Sequence, residues 1–458
     1  MAAKAVYDLA ILGAGPGGYT SALRAAQRGL RVALIESDRV GGVCLNRGCI
    51  PTKVGIKAAD YVRAPSSAQS FGVTLGTSTI DLPALRHQQA KVVQWLASGV
   101  EAALYQRQVD VIIGHARLAP DGMVSIDGPD GHTVIRASTR LVATGARERP
   151  FPLLPLDGHR IIGSTDALQL EQLPASLAVV GAGAVGTEFA SMYADFGCQV
   201  TLIEALPNIL PLEDRECGQL VAEALQNRGV RILTGAPVSS QESSAEGVVL
   251  TCGPENTLVE AEQVLVAVGR VPNTEDLGLE SLGISTVRGY IPVDDDYRTI
   301  APDVYAIGDC VPTLALAHVA AAEGRYVADL VAGTGPTRLR PQAFPHATYC
   351  HPEIASVGLS EEQARAQGLD VIIGRLPMRA NGKAAIYGEM EGVVKVIAEA
   401  GSRVIRGIHV VGPSASEIIG EASLALSLEA DAREIAESVH AHPTVSEALM
   451  EAAEAALG

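Results

Sequence analysis

One pattern occurs twice in this chain and leaves little freedom for its fold. Tyr7 to Leu12 is apolar and runs into Gly13-Ala14-Gly15-Pro16-Gly17-Gly18; a small-residue stretch follows, then a second apolar run, Arg31 to Ile35, ending at Glu36. Leu177 to Val180 runs into Gly181-Ala182-Gly183-Ala184-Val185-Gly186, then another small-residue stretch, then Gln199 to Ile203 ending at Glu204. In both copies the acid follows the first glycine by 23 residues. Strand, glycine loop, helix and strand in that order make a parallel βαβ unit. The first glycine permits the tight turn, the second lets a pyrophosphate approach the backbone, and the third lets helix and strand pack closely. The helix N-terminus offers free N–H groups and partial positive charge to phosphate, and the acid accepts from ribose hydroxyls. A lone glycine pattern is often only a turn. Two copies at one spacing predict two dinucleotide sites, with Gly13, Gly15, Gly18 and Glu36 in one and Gly181, Gly183, Gly186 and Glu204 in the other.

The segment Gly41-Gly42-Val43-Cys44-Leu45-Asn46-Arg47-Gly48-Cys49-Ile50-Pro51-Thr52-Lys53 follows the first unit. Two thiols that can close exchange two electrons with a substrate disulfide. In an ideal helix residues i and i+5 lie roughly 8 Å apart, whereas a disulfide wants Cα atoms about 4.4–6.8 Å apart. So the segment must bend or the bond must be strained, and a strained bond suits catalysis better than scaffolding. Lys53, four residues after Cys49, shares its helix face if the helix is continuous there, and a nearby cation favours a thiolate. The seven cysteines are an odd, scattered set and form no secreted disulfide framework. Zinc is the competing reading of a close pair, but no second Cys/His pair stands nearby at ligand spacing. Inert thiols are the other alternative. No metal site is expected.

At 458 residues the chain has room for about three domains, and 47% apolar against 19% charged residues describes a well-buried globular protein. The net charge of −17 disfavours nucleic acid and anionic membranes as partners. Met1-Ala2-Ala3-Lys4-Ala5 leads straight into strand pattern, without a signal peptide or a long apolar span. A cytoplasmic location is expected. Between the units, Asp60 to Gln108 reads as mostly helical, notably Leu82 to Leu104, and Asp110 to Val134 as short strands. Leu141 to Gly145 and Leu265 to Arg270 are apolar runs ending in glycine that return the chain to a sheet near each nucleotide. Val304 to Asp309 is a buried strand ending in Gly-Asp, and Gly333 to Pro341 is a linker. From Ala347, strands at Val393 to Ile397 and Val404 to Val411 alternate with helices at Glu417 to Leu428 and Ala432 to Ser438, an α+β domain.

Taken with Ala143–Gly145, Val268–Asn273, Leu316–His318 and His440–Glu447, these motifs resemble the pyridine-nucleotide disulfide oxidoreductase family over about 430 residues. The match is closest to its branch that oxidises dihydrolipoyl groups with NAD. The resemblance implies an α/β fold with two Rossmann-like domains, for FAD and NAD, and a C-terminal α+β dimerisation domain. It implies an FAD-binding domain at 1–146, an NAD-binding domain at 147–268, a central part at 269–337 returning to the FAD domain, and an interface domain at 338–458. FAD falls to Gly13, Gly15, Gly18, Glu36, Gly42, Lys53, Ala116, Gly145, Asp309 and Ala317. NAD falls to Gly181, Gly183, Gly186, Glu204, Val238 and Gly269. Glu204 independently favours NAD, because a carboxylate repels the 2′-phosphate of NADP, and Ala205-Leu206-Pro207-Asn208-Ile209 has no arginine to hold one.

By the same resemblance Cys49 faces the flavin, Cys44 exchanges with substrate, and Lys53 pairs with Glu188 beside the flavin. His442 is the acid/base, oriented by Glu447, with His440 a nearby decoy. Histidine titrates in the range this work needs, and a carboxylate on its far nitrogen orients the ring. The dyad is implied to come from the other subunit of a homodimer. The substrate implied is a lipoyl arm on the acyltransferase or carrier protein of a 2-oxo acid dehydrogenase or glycine-cleavage complex. Val43 and Thr52 stand where Thr and Ser are more usual. A glutathione-type reductase using NADPH is the alternative, opposed by Glu204; a non-catalytic docking subunit is the other, opposed by the intact chemical positions.

Overall fold

The computed structural model describes residues 6–243 and 247–458. Met1–Ala5, on which the N-terminal reading partly rested, lie outside the described residues. The chain forms two compact units, each assembled from three segments: residues 1–54, 86–149 and 270–339 make the first, and 55–85, 150–269 and 340–458 make the second.

In the first unit, strands Asp110–Ile113, Val32–Glu36, Val6–Leu12 and Gly131–Val142 lie side by side and parallel, with Val304–Ala306 against the end of the last. Parallel strands covered on both faces read as continuous apolar runs, and Leu9, Ile11, Leu34 and Leu141 are fully buried. Met123–Gly128 and His115–Leu118 extend this sheet as an antiparallel meander. Helices Pro16–Gln27 and Ala317–Val331 belong to the same unit, where Asp329 takes bonds from Arg24 and Arg28.

The second unit repeats the plan. Arg231–Leu233, Gln199–Ile203, Ser176–Val180 and Gln263–Val266 are parallel neighbours in the same relative order, with Ile161–Ile162 at the edge. A second sheet, His346–Thr348, Ile354–Gly358, Ile405–Val411, Val393–Glu399 and Val371–Pro377, is antiparallel throughout. Helices Ala415–Ser427, Ala432–Ala436 and Glu447–Leu457 share its apolar core. The terminal helix is alanine-rich on its buried side, and a Cβ on Gly374 would come within 1.9 Å of Ala452 O. Glycine and alanine let strand and helix backbones approach where larger side chains would hold them apart.

The expected elements appear with shifted ends. The helix expected over Leu82 to Leu104 runs Leu82–Gln106. The mostly helical stretch expected over Asp60 to Gln108 is helical but for 72–81, where Gly72 turns at φ 75°. The helix at Glu447–Leu457 and the strands at Ile354–Gly358 and Val371–Pro377 were not anticipated.

Candidate active site

The two glycine loops are nearly identical. Gly13 and Gly181 both sit at φ 101°, and a Cβ would lie 2.4 Å from Ala143 O in one and 2.5 Å from Ala267 O in the other. A Cβ on Gly18 or Gly186 would reach 1.8 Å from the carbonyl oxygen of its own first glycine. Any other residue at these positions would push the helix off the strand. Gly15 and Gly183 have no neighbouring atom closer than 4.0 Å at the Cβ position, the open cradle a pyrophosphate needs. The residues therefore fit a dinucleotide in each unit.

The two acids behave alike. Glu36 accepts from Ala14 N–H at 2.7 Å and Asp38 N–H at 2.9 Å; Glu204 accepts from Ala182 N–H at 2.7 Å and Leu206 N–H at 2.9 Å. Each carboxylate thus clamps its own glycine loop to the end of the second strand. An ionised carboxylate has about four acceptor sites, so both keep capacity for ribose hydroxyls.

The cysteine segment bends as its spacing required. A short helix, Gly42–Arg47, ends at Gly48, and a new helix, Cys49–Ala68, starts at the next residue. The break brings the Cα atoms of Cys44 and Cys49 to 4.6 Å, and the two sulfurs are bonded. Thr52 closes the break by donating its hydroxyl to Gly48 O at 2.7 Å. Gln89 donates to Pro51 O at 2.8 Å, and Asn46 holds Val40 O and Gly42 O at 3.1 and 3.0 Å. Lys53 lies on the new helix four residues after Cys49. The other five cysteines are buried thiols.

The same unit carries Gly145, at φ 68°, Ala116 in the strand His115–Leu118, and Ala317 as the first residue of its helix. Asp309 lies just after the strand Val304–Ala306; burial pushes its carboxyl up, and the Arg270 guanidinium opposes the shift. Glu323, fully buried, accepts from Gly308 N–H at 2.7 Å and so fixes the peptide next to Asp309.

In the second unit Glu188 is buried in the helix Ala184–Phe196 and accepts from Tyr349 N–H at 3.0 Å. Ser191, one turn on, accepts from Arg228 at 2.9 Å and His351 N–H at 3.1 Å. Sequence spacing alone missed this support, because Arg228 and His351 are remote in the chain. Val238 begins a strand with its side chain in the core, leaving only its backbone for a ligand, and Gly269 turns at φ 102°. His442 and Glu447 are joined, Nδ1 to Oε1, at 2.9 Å. Glu447 also accepts from Thr444 N–H at 2.7 Å, and these two bonds hold its carboxyl below the usual range. The imidazole is 79% exposed, so its other nitrogen is free to meet a reactant.

Residues 7–324 match the pyridine nucleotide-disulphide oxidoreductase family, and residues 344–453 match the dimerisation domain of that family. The chain belongs to this family. As a pyridine nucleotide-disulphide oxidoreductase it is an enzyme with FAD and NAD as cofactors. Among its relatives, a Bacillus subtilis protein named dihydrolipoyl dehydrogenase is 39% identical over 99% of this chain and 98% of the relative. A Zymomonas mobilis protein of the same name is 41% identical, covering 99% and 98%. The crystal structure of LpdA from Mycobacterium tuberculosis superposes with a TM-score of 0.92 at 32% identity, covering 98% of this chain and 99% of that one. The doubled Rossmann-type plan and the C-terminal domain are those of the family.

Proposed function

We propose that this enzyme oxidises protein-bound dihydrolipoyl groups to lipoyl with NAD as acceptor. The observation that carries the reading is the closed Cys44–Cys49 disulfide, set at a helix break beside the first glycine loop. The name shared by the curated relatives supports the substrate class. On this reading residues 1–146 and 269–337 hold FAD, 147–268 hold NAD, and 338–458 form the homodimer interface. The flavin is held by Gly13, Gly15, Gly18, Glu36, Gly42, Lys53, Ala116, Gly145, Asp309 and Ala317, and NAD by Gly181, Gly183, Gly186, Glu204, Val238 and Gly269.

His442, oriented by Glu447, takes the proton from one thiol of the substrate dithiol. The resulting thiolate attacks Cys44 Sγ, the S–S bond breaks, and Cys49 leaves as thiolate. The second substrate thiol loses its proton and displaces Cys44 from the mixed disulfide, closing the lipoyl ring. The chain then holds a dithiol, two electrons richer. Lys53, four residues after Cys49 on the same helix, sets the charge around that thiol. Bound FAD supplies the two-electron chemistry that lets a dithiol deliver a hydride to NAD, and the protein's part is position and electrostatics. The partner is a lipoyl-bearing acyltransferase or carrier protein of a 2-oxo acid dehydrogenase or glycine-cleavage complex. A cytoplasmic location agrees with this role; among the described residues no helix is long and apolar enough to cross a membrane.

The test is anaerobic turnover of the FAD-loaded protein with dihydrolipoamide and NAD, beside glutathione disulfide and NADPH. NADH formed quickly in the first assay alone is the expected result. Turnover in the second alone would replace the reading with a glutathione-type reductase.

A further inference from the structure

In the second unit the middle of the glycine loop is held from both sides. Ala182 N–H donates to Glu204 Oε2 at 2.7 Å, and Ala182 O accepts from Leu210 N–H at 2.8 Å. The first unit has the same pair of bonds: Ala14 N–H donates to Glu36 Oε2 at 2.7 Å, and Ala14 O accepts from Gly41 N–H at 2.8 Å. Two copies of one arrangement mark it as part of a nucleotide cradle. A peptide is planar, so a carbonyl fixed on one edge fixes the N–H on the other. The N–H opposite Ala182 O is that of Gly183, at the open cradle. The two donors differ. Gly41 sits at φ 105°, which glycine adopts freely, whereas Leu210 sits at φ 48°, a left-handed conformation that a leucine keeps only when its surroundings impose it.

The segment 205–213 is imposed upon at three places. Near its start, Leu206 N–H donates to Glu204 Oε1 at 2.9 Å and Leu206 O accepts from Gly235 N–H at 2.8 Å. In its middle, the side chains of Ile209 and Leu210 are buried in the core. Its far end is fastened to the antiparallel sheet of the same unit. Glu213 N–H donates to Leu210 O at 2.9 Å, and the Glu213 carboxylate accepts from the Ser356 hydroxyl. Asp214, the N-cap of helix Arg215–Asn227, accepts from Glu216 N–H and Glu361 N–H, each at 3.1 Å. Lys395, on the strand Val393–Glu399, reaches this cap: its Nζ lies 3.0 Å from both oxygens of Asp214 and 2.9 Å from a carboxylate oxygen of Glu216 and of Glu361. The Lys395 side chain is 2% exposed. Burial disfavours its ammonium, but the bonds to Glu361, Glu216 and Asp214 outweigh burial and raise its pKa. Glu216 and Glu361 pair with Arg375 as well.

We propose that Lys395 is a positioning residue for NAD: by fastening Asp214 to the antiparallel sheet it holds segment 205–213 against the second glycine loop, and through Leu210 N–H it orients the Ala182–Gly183 peptide that receives the pyrophosphate. This rests on the second unit being the NAD site. Lys395 touches no reactant; it acts through Asp214 and Leu210. A loop already held in its binding conformation pays less to bind than one that must be ordered by the ligand. Loosening the segment therefore falls on NAD affinity and leaves the dihydrolipoyl end of the reaction alone.

The experiment is calorimetric titration of the full-length, FAD-loaded protein with NAD, with kcat and the KM values for NAD and dihydrolipoamide measured beside it. Lys395→Met alone would leave Asp214 buried without its cation, which is strongly destabilising. It is therefore combined with Asp214→Asn, which keeps an oxygen for Glu216 N–H and leaves Glu216 and Glu361 to Arg375. The expected result in this double variant is a Kd for NAD raised about fivefold, the net worth of one well-placed hydrogen bond, with KM for NAD rising alike and kcat and KM for dihydrolipoamide held. Ser356→Ala removes one hydroxyl and should move NAD the same way by about twofold. An unmoved Kd for NAD in the double variant overturns the proposal, and so does a parallel rise in KM for dihydrolipoamide, the mark of general loosening. Should the double variant fail to fold, an unmoved Kd in Ser356→Ala overturns it instead. Gly183→Val tests the reading beneath: its side chain meets no protein atom within 4 Å of the Cβ position and fills the cradle, so NAD bound there with wild-type affinity would remove the second unit as the NAD site, whatever Lys395 does.

Discussion

Glu323 shows how one side chain can serve a site and weaken the fold at once. It accepts from Gly308 N–H, with Thr313 and Tyr297 also hydrogen-bonded to it, and burial outweighs these bonds and pushes its carboxyl from 4.5 to about 7. An unfolded chain gives up that proton above 4.5, while the native chain keeps it to about 7. Between those values the native state binds more protons, so stability falls as pH rises. The slope is at most about 1.4 kcal/mol per pH unit, that of a single proton. Glu323→Gln keeps an oxygen for the Gly308 N–H and loses the titration. Its urea midpoint should therefore be flatter than wild type between pH 4.5 and about 7, and equal slopes in the two proteins would mean the carboxyl is ionised throughout. Sequence reading found Asp309 by its motif and not Glu323, since an acid in a helix of small residues carries no sign of pointing inward. The acids of the glycine loops were legible because the spacing repeats; that each clamps its own loop by two N–H groups was not.

Elements position the site through contacts between residues remote in the chain. The break between Gly42–Arg47 and Cys49–Ala68 could be deduced, because two cysteines at that spacing cannot meet on an unbroken helix. The seating of the terminal helix could not. Gly374 lies 78 residues before Ala452, yet its missing side chain is what allows Glu447–Leu457 to rest on the strand Val371–Pro377. Gly374→Ala places a methyl group inside backbone, where nothing can rotate away, and overpacking of this kind costs about 1–3 kcal/mol or more. Glu447 is the first residue of that helix, so the dyad should shift with it. The expected variant retains FAD and a reducible Cys44–Cys49 bond but loses at least about tenfold in kcat/KM, as a small misplacement of a catalytic group does. Unchanged turnover would show that the dyad is located by its own loop and not by the helix.

At the scale of the whole molecule, the exposed His442 imidazole has its orienting carboxylate, Glu447, within its own chain, while its reactant is proposed to come from the partner. Mixing and refolding a Cys44→Ser protein with a His442→Gln protein, each nearly inactive alone, should recover up to about a quarter of wild-type activity, since half the dimers are mixed and each restores one of two sites. No recovery, with mixed dimers demonstrated by mass, would place both halves of the site in one chain. The two glycine loops differ in what packs beside them. In the first, Gly42 packs beside the glycine loop, so close that a Cβ on it would meet Gly15 Cα at 2.7 Å, whereas a Cβ on Gly15 or Gly183 itself would meet nothing nearer than 4.0 Å. The redox segment is thus packed backbone to backbone on the first glycine loop, and any side chain at residue 42 would push the two apart.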